Sequence, residues 1–386
     1  MIGICLKYEQ TNYGSKLQAL ATLRYLEKLE LDYEILRYNK KTLGFIIRYI
    51  PRFFNWVFLN DRYDQYQRML EFKAHPEVDR QVKERRRSFE SFDHYFLPHL
   101  SKMYSSYGSL VRECPERYSA VLSCSDQLWS PSALGSGFYN LMFAPDEMKK
   151  ISWASSFGVS KIPWYQIKRT KKYLSRIEHI SMRENRGAEI VYELIGRKVP
   201  VLMDPVFAFD KSEWDSMIEC SETEWKDYIF CYFLGSDPEH RTAARKFAEK
   251  TGKKILTLRH LDRYVSDDEE FGDIAPYDVD PVLFLNILRG AYAVCTDSFH
   301  GTAFSVIYEK DFVVFDRYSD SSSNSKNSRI DSLCANLSLE DRRCRNADDI
   351  LSIMEKKIDW DKVKENTQHY RKATEDYLCC VFDGIH

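Results

Sequence analysis

The segment Val294–Ser305, VCTDSFHGTAFS, holds the residue types needed to move a proton beside an anion. An apolar run enters a polar turn, and a helix is predicted to start beside His300 and Gly301. A histidine there gives or takes a proton near neutral pH. Gly301 lets backbone approach a ligand closely, and the N–H groups after Ser298 suit a phosphate or carboxylate. A plainer arrangement fits the same letters: Asp297 or Ser298 caps the helix, and His300 bonds to a carbonyl. Three further segments sit where strands stop or helices begin. Ser181–Asn185, SMREN, offers the planar fork of Arg183 to an anion, or else a local bond from Arg183 to Glu184 or backbone. Ser123–Trp129, SCSDQLW, offers the Asp126 carboxylate to sugar hydroxyls beside an aromatic ring; alternatively, Asp126 caps a helix and Trp129 enters the core. The Asn12-Tyr13-Gly14 loop precedes the first helix and is a weak signal alone. The sequence contains no dinucleotide glycine fingerprint, no Walker loop and no metal-ligand spacing, so neither cofactor nor metal is expected.

Such residues need strands to hold them. The opening Ile2–Leu6 run, the helical spacing of Leu17, Leu20, Leu23 and Leu26, and Asp32–Tyr38 read as a βαβ unit and favour a parallel sheet. Tyr118–Cys124, Ile151–Phe157, His179–Met182 and Val199–Met203 are the next predicted strands, with a helix over Arg186–Ile195 closing at Gly196. A second alternating set starts near Asp210. Its strands are Tyr228–Leu234, Lys254–Leu258, Tyr292–Thr296 and Phe312–Phe315, and its helices are Pro238–Thr251, Pro281–Gly290 and His300–Glu309. Residues 43–116 break the rhythm and read as a helical insertion or lid without a strong strand. The tail after Arg329 reads as all helical. The expected division is therefore 1–209, a Rossmann-like domain with the insertion, and 210–386, a second such domain whose terminal helices pack back on the first. A ligand cleft belongs between them, at the carboxyl ends of the strands.

The chain has 386 residues, 44% hydrophobic and 30% charged, enough for a core and a solvated surface. The net charge of −2 argues against nucleic acid as a partner. Ten cysteines occur without a Cys-x-x-Cys pair, several inside apolar runs, and read as reduced, buried thiols. No secretory leader is apparent and no stretch of about 20 apolar residues exists, so a cytoplasmic location is expected, with possible contact at the inner face of the membrane.

Taken together and in order, these segments resemble the polysaccharide pyruvyl transferase family. The matching text is Asn12-Tyr13-Gly14 with Leu17–Leu20, SCSDQLW, Ala154–Gly158, SMREN, Met203–Val206, TDSFHG over Thr296–Gly301, and Ser328-Arg329-Ile330. The resemblance implies an α/β, GT-B-like architecture of two Rossmann-type domains with an interdomain cleft and a helical C-terminal tail. It implies phosphoenolpyruvate as donor substrate and a sugar, free or in a lipid-linked oligosaccharide, as acceptor, joined as a pyruvyl ketal. His300 takes the place of the family histidine, Arg183 that of its SxRE arginine, and Asn12, Asp126, Ser298, Gly301 and Arg329 are the other expected binding residues. Many members carry arginine where this chain has Ser298, so Arg183, Arg329, Lys16 or Lys326 is expected to supply the missing cation. Two other readings stay open: a GT-B glycosyltransferase using a nucleotide sugar, and an inactive interaction module in glycan assembly. Arg317–Ser328 is expected to be a mobile loop beside the cleft. The basic, aromatic stretch 43–58 is expected either to touch a membrane or to fill the core.

Overall fold

The computed structural model describes residues 1–42, 55–132, 137–259, 263–317 and 327–384. Two all-parallel sheets organise it. The first has strand order β3-β2-β1-β4-β5-β6, formed by β1 (Ile2–Cys5), β2 (Tyr33–Tyr38), β3 (Leu100–Tyr104), β4 (Ala120–Cys124), β5 (Lys149–Ser155) and β6 (His179–Met182). The second has order β11-β10-β9-β7-β8, formed by β7 (Tyr228–Tyr232), β8 (Lys254–Thr257), β9 (Ala293–Thr296), β10 (Asp311–Phe315) and β11 (Arg343–Cys344). β1, β4, β7 and β9 are buried at every position, as continuous apolar runs in a covered parallel sheet should be.

Strand order reverses between β1 and β4 in the first sheet and between β7 and β9 in the second. Such switch points open a crevice at the carboxyl ends of the strands, where ligands bind in open α/β sheets. The helix Tyr13–Lys28 follows β1 and is buried along most of its length, because the second domain packs on it. Tyr13 donates from its hydroxyl to Val279 O at 2.9 Å and stacks on Phe284 with ring centroids 4.5 Å apart. One apolar cluster runs through both domains and includes Leu17, Leu23, Phe230, Phe284, Phe304 and Leu378.

Two further pieces tie the domains together. Helix Pro76–Ser91 carries Arg85, whose guanidinium donates to Tyr277 O at 2.6 Å, Arg259 O at 2.6 Å and Pro276 O at 3.0 Å in the second domain. Helix Trp360–Phe382 returns to the first domain, where the Tyr377 hydroxyl donates to Ser152 O at 2.8 Å. On its way Arg371 donates to Phe207 O at 2.6 Å and Phe209 O at 2.8 Å.

The structure departs from sequence expectation in three places. Residues 43–116 were expected to hold no strong strand, and β3, a five-residue strand, pairs with β2 at the sheet edge. Its LSKMY sequence is half exposed and breaks apolar alternation, so periodicity hides it. Val199–Met203 contributes one bridge, Val201 to Met182, because Pro200 within it has no N–H to donate and Pro205 follows close behind. The tail after Arg329 is not all helical, since Arg343 and Cys344 form β11 beside β10. Gly196 and Gly252 take the left-handed conformation that closes their helices, with φ of 69° and 67°. All ten cysteines are free, seven of them buried.

Candidate functional site

Both switch points contribute side chains to one buried cluster. Ser125 and Asp126 follow β4 in left-handed backbone, with φ of 42° and 49°. Neither residue is glycine, so the turn is strained and held by what surrounds it. Asp126 accepts from Ser15 Oγ at 3.1 Å and from the Gln127 amide at 2.7 Å, and Lys7 Nζ lies 3.9 Å away. Burial alone would raise the Asp126 carboxyl, but Lys7, Arg183, the Gln127 amide and His300 outweigh it and bring it down to about 2.

Arg183 leaves the end of β6 and is buried. Its Nη1 meets Asp204 Oδ2 at 2.6 Å and Ser125 Oγ at 3.4 Å, while Ser125 Oγ donates to the same Asp204 oxygen at 2.8 Å. Its guanidinium stands 4.7 Å from the Phe299 ring centre. Burial disfavours its charge, yet Asp204, Glu184 and Asp126 more than compensate and raise its pKa. Arg183 Nε and Nη2 are buried without a hydrogen-bond partner.

From the second domain, Ser298 caps helix Phe299–Ile307 by accepting from Gly301 N at 3.3 Å. That helix start carries His300 across the domain boundary. His300 Nε2 lies 3.6 Å from Asp204 Oδ2, too far for a hydrogen bond, and has no other partner. The ring packs on Gly14, where a Cβ would fall 1.9 Å from Nδ1. Asp204 is fully buried; burial opposes its charge, but His300 and Arg183 hold its carboxyl far below the usual range. Glu184 accepts from Ser156 Oγ at 2.9 Å and Phe157 N at 3.2 Å, leaving Oε2 unpaired.

Arg329 is buried, with Cζ 5.8 Å from the Phe299 ring centre. Burial and the neighbouring Arg183 bring its pKa down to about 10. Gln127, with its amide oxygen turned toward Arg329, accepts from Nη2 at 2.7 Å and Nη1 at 2.9 Å. Arg329 Nε is buried without a partner.

Of the expected residues, Asp126, Arg183, His300 and Arg329 therefore converge, with Ser298 at the helix start that positions His300. Two others have structural work of their own. Asn12 caps the first helix through its Oδ1, accepting from Ser15 N at 3.0 Å. Gly301 makes room for Thr296, whose Oγ1 would stand 2.6 Å from an added Cβ. Lys16 is spent on an ion pair with Asp93 and supplies no cation to the cluster. Lys326 lies outside the described residues. Asp297 fastens the turn after β7, accepting from Leu234 N and Gly235 N at 2.7 Å each, and binds Arg317. The loop expected over 317–328 falls largely outside the described residues; Arg317 bonds to Asp297, and Ser328 and Arg329 start a helix. Asp204 stands in the Met203–Val206 match but was assigned no role from sequence. An Asp-Pro pair just past a predicted strand was the available signal. Gly14 was read as a turn glycine, whereas it clears space for His300.

The cluster thus holds one histidine nitrogen, three guanidinium nitrogens and one carboxylate oxygen without hydrogen-bond partners, all at the junction of two sheets. Unpaired buried donors beside a strained turn are what a site for an anionic ligand with a transferable proton requires. Comparison with known proteins agrees in outline. The sequence model of the polysaccharide pyruvyl transferase family matches residues 12–319. No curated protein matches significantly. Among solved structures, the UDP-GlcNAc 2-epimerase of Methanocaldococcus jannaschii is similar over 97% of this chain and 99% of its own, at 11% identity and a TM-score of 0.53. The UDP-N-acetylglucosamine 2-epimerase of Rickettsia bellii is similar over 100% and 96%, at 8% identity and a TM-score of 0.52. At such identities the likeness shows the fold, GT-B-type, and nothing of the reaction.

Proposed function

The chain belongs to the polysaccharide pyruvyl transferase family and is a transferase, and on that premise we propose that it moves the enolpyruvyl group of phosphoenolpyruvate onto a sugar of a surface polysaccharide or its lipid-linked precursor. The observation that carries this reading is the buried cluster of His300, Arg183 and Arg329 with unpaired nitrogens facing the junction of the two sheets. Ketal formation begins with a proton delivered to the methylene carbon of phosphoenolpyruvate, an enol phosphate. The carbon that carried the phosphate oxygen becomes electrophilic, a sugar hydroxyl adds to it, and phosphate leaves. A second hydroxyl then closes the ring. His300 Nε2 is the proton donor and acceptor in this scheme, and the Asp204 carboxylate lies 3.6 Å from it. Arg183 and Arg329 hold the phosphate and carboxylate of the donor. They supply the cation that Ser298 does not, because both stack on the adjacent Phe299. Asp126 takes a sugar hydroxyl.

The test is phosphate release from phosphoenolpyruvate against a panel of lipid-linked and nitrophenyl sugars. His300→Gln is expected to lower turnover at least about a hundredfold. Phosphoenolpyruvate should raise the melting temperature of the protein. A rise with a nucleoside diphosphate and none with phosphoenolpyruvate would replace this reading with nucleotide-sugar transfer. A protein that binds neither donor would be left as an assembly module.

A further inference from the structure

The segment Lys161–Arg176, KIPWYQIKRTKKYLSR, contains six Lys or Arg residues and no Asp or Glu, in a chain whose net charge is −2. Its helix Ile167–Arg176 buries Thr170, Tyr173 and Leu174. The helical period turns Lys168, Arg169, Lys171 and Lys172 to the opposite face, where all four are exposed. Among the described residues none of the four makes a close ion pair; the carboxylate acting on this helix is Asp146, which is bonded to Arg176 and lies within electrostatic reach of Lys172. Some other surface helical cations are matched, as Lys83 is with Asp79 and Lys372 with Asp376.

Aromatic side chains border this basic face. Trp164, in the turn before the helix, is 83% exposed, with Tyr165 beside it at a centroid distance of 5.7 Å. The Tyr165 hydroxyl donates to Asn55 Oδ1 at 3.1 Å, and Asn55 and Gln166 both donate to Pro131 O at 3.0 Å. Those bonds fix the start of helix Trp56–Ala74 next to Trp164, with Trp56 69% exposed. Tyr63, Tyr66 and Leu70 continue an exposed apolar stripe along that helix at spacings of seven, three and four residues. The turn 156–166 follows β5, so the patch lies on the carboxyl edge of the first sheet, the edge on which Asp126 and Arg183 sit.

We propose that this face docks the protein on a membrane surface rich in anionic lipid, with Trp56 and Trp164 at the headgroup level and the cations of 168–172 over the lipid phosphates. The charge of the face decides for anionic lipid over a neutral bilayer. The aliphatic and aromatic stripe beside it decides for a bilayer over nucleic acid, which would leave Leu70 and Met69 in water. No helix among the described residues is long and apolar enough to cross a membrane, so the contact is peripheral. Of the stretch 43–58 expected to touch a membrane, residues 43–54 lie outside the described residues, Trp56 joins this face, and Phe58 is buried. The docking stands on the surface alone; that it would present a lipid-linked acceptor to the site rests on the proposed function.

The test is co-sedimentation of the full chain with phosphatidylglycerol-rich vesicles and with pure phosphatidylcholine vesicles, at low and high salt. The wild type is expected to pellet with the first only, and less at high salt. Lys168→Glu/Lys171→Glu/Lys172→Glu should weaken binding by about a hundredfold. Trp56→Ser/Trp164→Ser should weaken it at every salt concentration. Both variants should keep the melting-temperature rise with phosphoenolpyruvate, which shows that they fold. Equal pelleting of wild type and the triple variant, equal binding to both vesicles, no pelleting, or loss of vesicle binding to competing single-stranded RNA overturns the proposal. Vesicle binding without any effect of phosphoenolpyruvate would instead sink the proposed function and leave the docking face standing.

Discussion

Gly14→Ala tests the placement of His300 without touching a polar group. The new methyl would lie 1.9 Å from His300 Nδ1, 2.2 Å from Cγ and 2.7 Å from Cβ. Ordinary contact begins at 3.4 Å, so the imidazole must retreat by about 1.5 Å, the difference between 3.4 and 1.9 Å. The clash reaches the Cβ of His300 as well as the ring, so rotating the ring does not relieve it. A reacting group displaced by about 1 Å can lose a hundredfold in rate, and turnover should fall by at least that factor. The effect on stability is smaller. Overpacking costs about 1–3 kcal/mol, and alanine in place of a helical glycine returns about 1 kcal/mol. The net expectation is a loss of roughly 0–2 kcal/mol in urea unfolding. Gly108→Ala is the control: it also lies in a helix, but its nearest neighbour would be 3.6 Å from the added methyl. That variant should gain a few tenths to about 1 kcal/mol and keep its turnover. If Gly14→Ala retains half of wild-type turnover at saturating donor and acceptor, the reaction does not depend on where His300 now stands.

Arg183→Lys should raise the Michaelis constant for phosphoenolpyruvate while a compact ammonium still faces Asp204, because a point charge does not reproduce the fork; an unchanged constant would remove Arg183 from donor binding. Acid should destabilise the protein through Asp126, whose carboxyl is lowered from 3.8 to about 2. A carboxyl lowered by folding lends stability above its unfolded pKa, so this part is lost as pH falls from about 4 to about 2. Asp126→Asn should flatten the pH dependence of the urea midpoint in that window, and an unaltered slope would contradict the assignment. Arg85→Ala should cost about 2–5 kcal/mol in unfolding, since three carbonyls lose a charged donor; Arg85→Lys, lacking the fork, should recover less than half of that, and full recovery would show that charge alone suffices.

Much of the framework could be read from local pattern because the central strands are unmistakable. IGIC and YIFCY are continuous apolar runs bounded by polar turns, and Pro281–Gly290 begins after an aspartate cap. β3 and β11 escaped because edge strands bury little and leave no periodic trace. The site divided in the same way. TDSFHG and SMREN were visible as polar text at strand ends. The Asp204–Arg183 pair and the Gly14–His300 packing were not, since they join residues far apart in sequence through burial. The cap made by Asn12 and the close contact at Gly301 were legible only in part, since the partners, Ser15 N and Thr296 Oγ1, are set by the fold.

Helix Trp360–Phe382 has a consequence for how the chain is made. It seals the first domain, with Tyr377 bonded to Ser152 on β5 and Leu378, Val381 and Phe382 in the cluster that spans both halves. Those residues emerge from the ribosome more than 200 positions after β5 is complete. At roughly 5–20 residues per second, the nascent first domain waits about ten to forty seconds with an apolar flank uncovered. Vectorial synthesis therefore yields an open sheet first and a finished domain only once this helix has emerged. Translational pausing or a chaperone acting late in elongation would govern its yield more than any event at the amino terminus.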